Sequence, residues 1–455
     1  MKTSSLSTKH YWIYIVVAAM CMAATFPGRT HGLGLITESI LRDLSLDRTV
    51  YAYYNLSATL IGALFCIPVG SMLDRSGCRK VLILVLIGLG ISVLGMSATQ
   101  NKPVFFILLL LTRGFGQSAL SVASITLISK YFPKNKLGIS MGIYSLLTSI
   151  FFMGIFGGMG IVLDHIRPLA FSFAGIETVI PSWRVAWGSV GLALLFFCVP
   201  VVLLSLRRSG WVADETAEII ETTEVATETI DTIKTIESID TIETENPAPG
   251  NPDVEYGIPF SQAIRTAAFW VFALSISFFG LVSAGIGLYN EDILSERGFD
   301  ANMYHFLLLL PIPFGLMSNL GVGLLTRYIN IKYVLALSLF FTGLVKFLFP
   351  FIETPEQVYA YTIVLAISGG GLSVLFFIAW ADLFGKRDVG KIQGIAQMLS
   401  VCASAAGPVF FAYSKEWTNS YTLAFYISGG LTILFAVAAC LMSTPARKCR
   451  MNKNM

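Results

Sequence analysis

Gly70-Ser71-Met72-Leu73-Asp74-Arg75-Ser76-Gly77-Cys78-Arg79-Lys80 joins two long apolar stretches through a turn too short and too charged to be hydrophobic. Each residue type has a separate use there. Gly70 lets a helix end approach a neighbour closely, Asp74 places a carboxylate at the exit of one stretch, Gly77 permits a positive φ, and Arg79 and Lys80 begin the next. The rest of the chain can be read outward from this turn.

The composition places that turn in a membrane. The chain has 455 residues, 55% hydrophobic and 13% charged, with a mean hydropathy of +0.71, far from the roughly 25% charged residues of soluble domains. Apolar stretches of about 20 residues, the length that crosses a bilayer, lie near 11–41, 49–73, 80–99, 103–130, 137–162 and 184–206. After a gap they recur near 261–289, 301–326, 331–352, 356–383, 389–413 and 421–443, making two sets of six. The first has no small-residue cleavage site and reads as a retained span, not a signal peptide. Of the 31 Lys and Arg, 21 fall on the side of the Gly70–Lys80 turn, 7 on the other side and three within spans. That bias makes the basic side cytoplasmic, with both termini inside and a plasma-membrane location expected.

The net charge of +3 is scattered over loop ends, which gives no nucleic-acid surface. The seven cysteines are odd in number and form no C-x-x-C, so neither a disulfide nor a zinc site is expected, and no cofactor is indicated. Three segments follow: 1–208, a linker 209–258, and 259–455 with a short basic tail. The linker carries eleven acidic residues between Asp214 and Glu245 against the single Lys234, and reads as a solvated low-complexity tether.

The opening turn resembles the signature loop between the second and third helices of the major facilitator superfamily, G-x-L-x-D-R-x-G-R-K, with Met72 and Cys78 as departures. The resemblance implies an all-α integral membrane fold of 12 transmembrane helices in two six-helix bundles around a central cavity. It also implies that Asp74, with Arg75, closes the cytoplasmic side against the C-terminal bundle through the positive N-terminus of the eleventh span, the loop Gly70, Asp74, Arg75, Gly77 and Arg79 acting as a gate. The equivalent position in the second half, in Gly321-Val322-Gly323-Leu324-Leu325-Thr326-Arg327-Tyr328, holds Thr326 in place of the acid. Members of this superfamily mostly work as monomers.

Charges at membrane depth are functional candidates by default. Here they are Arg29, Arg113 and Lys346, with no comparably deep acid, a balance that favours an anionic ligand. Arg29 lies in Phe26-Pro27-Gly28-Arg29-Thr30-His31-Gly32, where the proline removes a helix donor and two glycines loosen the backbone. The reading is a broken helix presenting a guanidinium able to hold a carboxylate. The same segment is similar to an Ala-x-x-Phe-Pro-Gly-Gln-Thr stretch of bacterial relatives of the monocarboxylate and oxalate/formate porters, with Arg29 at the glutamine position. His31 would point some 200° from Arg29 on an unbroken helix, so only the Pro-Gly distortion could bring both to one cavity; it is the candidate for proton coupling.

Arg113 stands mid-membrane with Gln117 one turn on, and is open to two readings: a substrate or proton role, or a structural bond to carbonyls of a neighbouring helix. Lys346 is expected near the outer end of a peripheral span, snorkelling to the headgroups. Asn55, Tyr144 and Gln397 are further candidate substrate contacts, with Thr148, Tyr289, Asn290, Asn319 and Trp380 behind them. Gly154, Gly157, Gly158 and Gly160, Gly369-Gly370-Gly371 and Gly407-Pro408 mark close packing or flexing points.

These readings converge on a secondary transporter that alternates access to one central site and moves a small organic anion, a mono- or dicarboxylate, by proton symport or exchange. The implied partners are that anion, protons and the lipid bilayer. An exporter of an amphipathic compound and a non-transporting membrane sensor signalling through the acidic linker are the alternatives. A membrane enzyme is disfavoured: the chain has no nucleotide loop, no H-E-x-x-H, and no Ser-His-acid set at a shared depth.

Overall fold

Hydrocarbon offers no partner to a free backbone N–H or C=O, so apolar stretches of this length can cross a bilayer only as helices or a closed barrel. Helices are what the chain forms. The computed structural model describes residues 4–132, 134–165, 169–173, 176–206, 257–299, 303, 307 and 310–443. The linker up to residue 256 and the basic tail from 444 lie outside the described residues.

Among those residues ten helices are long and apolar enough to cross a membrane, and two shorter apolar helices complete a series that we number in order. They are α1 (Trp12–Gly28), α2 (Val50–Ser76), α3 (Cys78–Ala98), α4 (Lys102–Tyr131), α5 (Lys136–Leu163) and α6 (Ser182–Ser205), followed by α7 (Ala267–Glu296), α8 (Pro311–Leu325), α9 (Ile331–Phe351), α10 (Pro355–Phe384), α11 (Val389–Thr418) and α12 (Thr422–Leu441). The connection between α5 and α6 adds an antiparallel hairpin, β1 (Leu169–Phe173) paired with β2 (Ile176–Ile180), Leu169 opposite Ile180. The all-helical expectation describes the membrane part; this pair of strands supplements it in a loop.

Within the first six helices α1 packs on α5, α2 on α4, and α3 on α4 and α6; within the second six α7 packs on α11, α8 on α10, and α9 on α10 and α12. The two groups meet along α2–α11 and α5–α8, with α4 against α11 and α5 against α10. The start of the second group is tied back by Ile258, whose N–H donates to Phe384 O at 2.8 Å, and by the Phe260 N–H, which donates to Asp388 at 2.9 Å.

Several helices are irregular at positions that matter below. At the end of α1 a 3-10 turn at Phe26–Gly28, extended Arg29 (φ −92°, ψ 150°) and two short helices, Thr30–Gly34 and Thr37–Asp43, replace a continuous helix. In α4, Arg113–Leu120 is wound as a π-helix. At the opposite face from the Gly70–Lys80 turn, Arg184 at the start of α6 pins three connections. Its Nε donates to Asp43 at 2.6 Å and its Nη1 to Ser97 O at 2.9 Å and Thr99 O at 2.7 Å.

Candidate functional site

The break in α1 sits against the π-wound part of α4. A β-carbon on Gly28 would come within 2.5 Å of Thr112 O and 2.9 Å of Gln117 N, so only glycine permits this approach. Arg113 holds the two irregular segments together. Its Nη1 donates to Gly28 O at 3.3 Å, Thr30 Oγ1 at 3.0 Å and Gln117 Oε1 at 3.0 Å, and its Nη2 donates to Asn55 Oδ1 at 2.8 Å. Asn55 in turn donates from Nδ2 to Tyr51 O at 3.1 Å. A buried guanidinium needs acceptors, and the carbonyl freed by the α1 break supplies one. Of the two readings left open for Arg113, the geometry matches the structural one, and Asn55 is occupied by Arg113 instead of facing a cavity.

Arg29 is placed differently. Its guanidinium donates from Nε to Thr25 Oγ1 at 2.8 Å and from Nη2 to Ser121 Oγ at 3.2 Å and Met22 Sδ at 3.1 Å, and it lies 5.3 Å from the centre of the Phe152 ring on α5. Every one of these partners is neutral. Among the described residues no carboxylate pairs with it. His31 reaches the same side: its ring meets Phe156 edge-on at 6.4 Å, and Phe152 and Phe156 stack one turn apart at 6.0 Å. The distortion at Pro27-Gly28 thus carries both side chains to one face of α5.

Phe152 also lines a cavity of about 480 Å³ between the two halves, with Ser149, Ile150 and Met153 on α5 facing Pro311, Ile312, Gly315, Leu316 and Asn319 on α8. Its lining is mainly apolar. Asn319 Oδ1 is buried there without a hydrogen-bond partner. On the basic side of the cavity the halves touch. Tyr144, fully buried, shares a hydrogen bond of 2.8 Å with Ser124, and its ring meets Phe377 of α10 at 5.3 Å. It therefore packs in the closure between the halves and does not line the cavity. Gln397 is half-buried on α11.

Beyond Tyr144 comes the turn that opened the sequence. A β-carbon on Gly70 would overlap Gly390 O, and one on Gly394 would lie 2.5 Å from Cys66 O, so α2 and α11 are in backbone contact. The Asp74 carboxylate accepts from the Gly390 N–H at 3.0 Å and the Lys391 N–H at 2.8 Å, the free donors at the start of α11, and pairs with Lys130 at 3.1 Å. Gly77 has φ +80°. Two members of the loop behave otherwise than expected. Arg75 is exposed and takes no part in the contact, its place beside Asp74 being filled by Lys130 from α4, while Arg79 donates to Leu203 O at 3.0 Å and so caps α6 within its own half.

Other candidates also fall away from the cavity. Trp380 is fully buried among Phe269, Phe272 and Phe376, and Tyr289, at a kink in α7, stacks on Tyr421 at 5.7 Å. Asn290 lines a separate cavity of about 120 Å³ inside the second group. Lys346 does not snorkel: it is 0% exposed. Sequence reading did not single out Thr25, Ser121, Phe152 and Phe156. The four-residue spacing of the two phenylalanines was the only available sign, and it is shared by many apolar helices.

Comparison with known proteins agrees with the fold. The chain is 25% identical over 182 residues to monocarboxylate transporter 9 of Mus musculus, covering 36% of this chain and 35% of that one. It spans about a third of the length of the monocarboxylate transporter 9 relatives it matches. To monocarboxylate transporter 12 of Mus musculus it is 22% identical over 388 residues, 82% of this chain and 74% of the relative. A quinolone resistance transporter of Acinetobacter baumannii is 25% identical over 409 residues, 86% of each chain. Among solved structures, the proton:xylose symporter XylE superposes with TM-score 0.63 at 12% identity over 94% of this chain and 95% of that one, and the human organic anion transporter MFSD10 with 0.59 at 13% over 94% and 97%. The family model of the Major Facilitator Superfamily matches residues 12–329 and 271–453. With twelve apolar helices, the Gly70–Lys80 turn latched on α11 and that match over most of its length, the chain is a multi-pass membrane protein belonging to the Major Facilitator Superfamily.

Proposed function

We propose that this protein is a secondary transporter of a small organic anion, a monocarboxylate in the first instance, bound in the cavity between α5 and α8. The observation that carries the reading is Arg29: a half-buried guanidinium packed on Phe152, the α5 side chain that lines the cavity, with neutral partners only. A cation left without a counterion at this depth is stabilised by a ligand that supplies one. The similarity to monocarboxylate transporters 9 and 12 supports the same class. The apolar lining from Ile150, Phe152, Met153, Ile312 and Leu316 suits the hydrocarbon part of such an anion. In this reading Arg113, Asn55 and Gln117 shape the break in α1 and Arg29 meets the substrate.

The two groups of six helices act as two bodies, joined by the acidic linker, that rock about the cavity. The basic face is cytoplasmic, the termini lie inside, and the conformation described is closed on that side by α2–α11 and α5–α8. The chain works as a monomer in the plasma membrane, with His31, beside Arg29 on the α5 face, positioned to couple a proton to the anion.

One observation favours a second reading. The quinolone resistance relative covers 86% of the chain, and a cavity this apolar could hold an amphipathic compound whose export ignores Arg29. Counterflow of labelled small carboxylates in proteoliposomes, wild type against Arg29→Gln, separates the two. Uptake that falls at least about tenfold in the variant, the loss expected for one buried charge-assisted contact, supports anion transport. Unchanged uptake makes Arg29 structural, and absence of carboxylate uptake with efflux of an amphipath favours the exporter.

A further inference from the structure

Lys346 is the most completely buried charge-bearing side chain described: it is 0% exposed, and its Nζ has no hydrogen-bond partner. One turn earlier on α9, Thr342 is also 0% exposed with its hydroxyl unpartnered. The surroundings explain why nothing answers them. Toward α12, Gly343 and Gly429 bring the backbones so close that a β-carbon on Gly343 would lie 2.9 Å from Gly429 O, and the buried Ser428 and Thr432 already donate to Phe425 O and Ser428 O of their own helix. Toward α10, Ser368 donates to Val364 O at 2.8 Å. From α7 the Phe279 ring lies with its centre 5.5 Å from Nζ, and Gly369 of α10 abuts that ring. No carboxylate, histidine or tyrosine among the described residues forms an ion pair or hydrogen bond with Lys346 from any of these helices.

An ammonium enclosed without an acceptor is strongly disfavoured relative to the free amine, and one phenyl face at this distance offsets little of that cost. Nor can the long stem carry the head to water, because the whole side chain is covered. We propose that Lys346 is a reversible proton-binding site inside the second helix group, a neutral amine in the conformation described and protonated in one that opens the α7–α9–α12 packing to water. The proton binds to the Nζ lone pair and returns to water when the packing closes. Because Phe279 on α7 lies between Lys346 and Gly369 of α10, protonation and the positions of α7 and α10 are tied together. For its transport arm the proposal rests on the anion-transport reading; its stability arm does not.

Lys346→Met and Lys346→Arg have opposite expected outcomes. A neutral amine can be replaced by methionine of similar length, whereas arginine cannot shed its charge. Thermal unfolding in detergent should therefore find Lys346→Met at least as stable as wild type at neutral pH and Lys346→Arg well below it. The advantage of the Met variant should shrink as the pH rises toward about 10, because up to that pH an ordinary lysine in the unfolded chain still holds a proton that the enclosed amine of the folded chain lacks. A Met variant that fails to fold, or is less stable than the Arg variant, would mean a structural cation and overturns the proposal. In proteoliposomes Lys346→Met should keep counterflow and lower the accumulation driven by a pH gradient, the remainder being carried by His31; accumulation unchanged in that variant overturns the coupling. If wild type moves no carboxylate, the substrate assignment fails while the stability comparison still decides Lys346.

Discussion

The two halves close on each other twice at the basic face, and the two closures differ. At α2–α11 a β-carbon on Gly70 would overlap Gly390 O, and at α5–α8 one on Gly138 would overlap Gly323 O. The backbone contact is the same. What is added is not: Asp74 reaches across to the N–H groups of Gly390 and Lys391 and is paired by Lys130, its side chain only 4% exposed. At the corresponding place on α8, Thr326 donates to Gly323 O at 2.9 Å, satisfied within its own helix. Close approach is thus a property of the glycines, which both closures have. Asp74 adds a charged latch at α2–α11 where Thr326, at the corresponding place on α8, carries no charge, so opening should be governed by α2–α11.

The comparison can be broken most severely at the shared element. Gly70→Leu puts a branched side chain where not even a methyl fits, and should weaken the closed state by about 1–3 kcal/mol. Cysteines placed on α2 and α11 beside the contact should then become readily alkylated. Gly138→Leu should do the same at α5–α8, and a much smaller effect there would mean that the two contacts are not equivalent. Next comes the element that only one closure has. Asp74→Asn keeps the shape but removes the charge that faces the α11 N-terminus and Lys130, a loss of about 1–2 kcal/mol, read as roughly a tenfold rise in alkylation at the same cysteines. Unchanged alkylation would show that the latch is not needed. Thr326→Val should leave the closed state within about 0.5 kcal/mol of wild type.

The smallest effect concerns how the α11 end is kept in place. Asp388 precedes α11 outside the membrane-spanning part. Burial pushes its carboxyl up, but the bond from Lys391 Nζ at 2.7 Å, the Phe260 N–H, and the positive charges of Lys391 and Arg387 outweigh it and hold the carboxyl below the usual aspartate range. A depressed carboxyl contributes its stability above the unfolded-state range and loses it as the pH falls through the folded-state value. Asp388→Asn should therefore lower the unfolding temperature slightly at neutral pH, by under about 1 kcal/mol, and the difference from wild type should vanish in acid. A difference that persists in acid would assign the effect to packing.

How far these features can be read without coordinates depends on whether they are local. The break at Phe26-Pro27-Gly28 follows from a missing donor and is where the helix stops. Gly77 at φ +80° is equally local. Asp74 at the start of α11 was accessible only through the resemblance of its loop to a known one. Of the partners of Arg29, by contrast, Thr25 and Met22 are local, but Ser121 on α4 and Phe152 on α5 lie some ninety residues or more along the chain. Asn55 and Arg113, read separately as substrate contacts, are bonded to each other across 58 residues. Lys346 was misplaced for the same reason: its depth along α9 is legible, its direction around α9 is not.

By itself the sequence determined that twelve apolar stretches cross a membrane, that the first is broken at Pro27-Gly28, and which glycines and charges stand at the turns, because apolar length, donor loss at proline and charge at a turn are set by neighbouring residues. Only the tertiary structure decided which way each charge faces. A helix apolar on all sides carries no periodic signal to set its rotation. The direction of Arg29 toward Ser121 and Phe152, Arg113 toward the broken backbone and Lys346 into the core was settled by the helices packed around them.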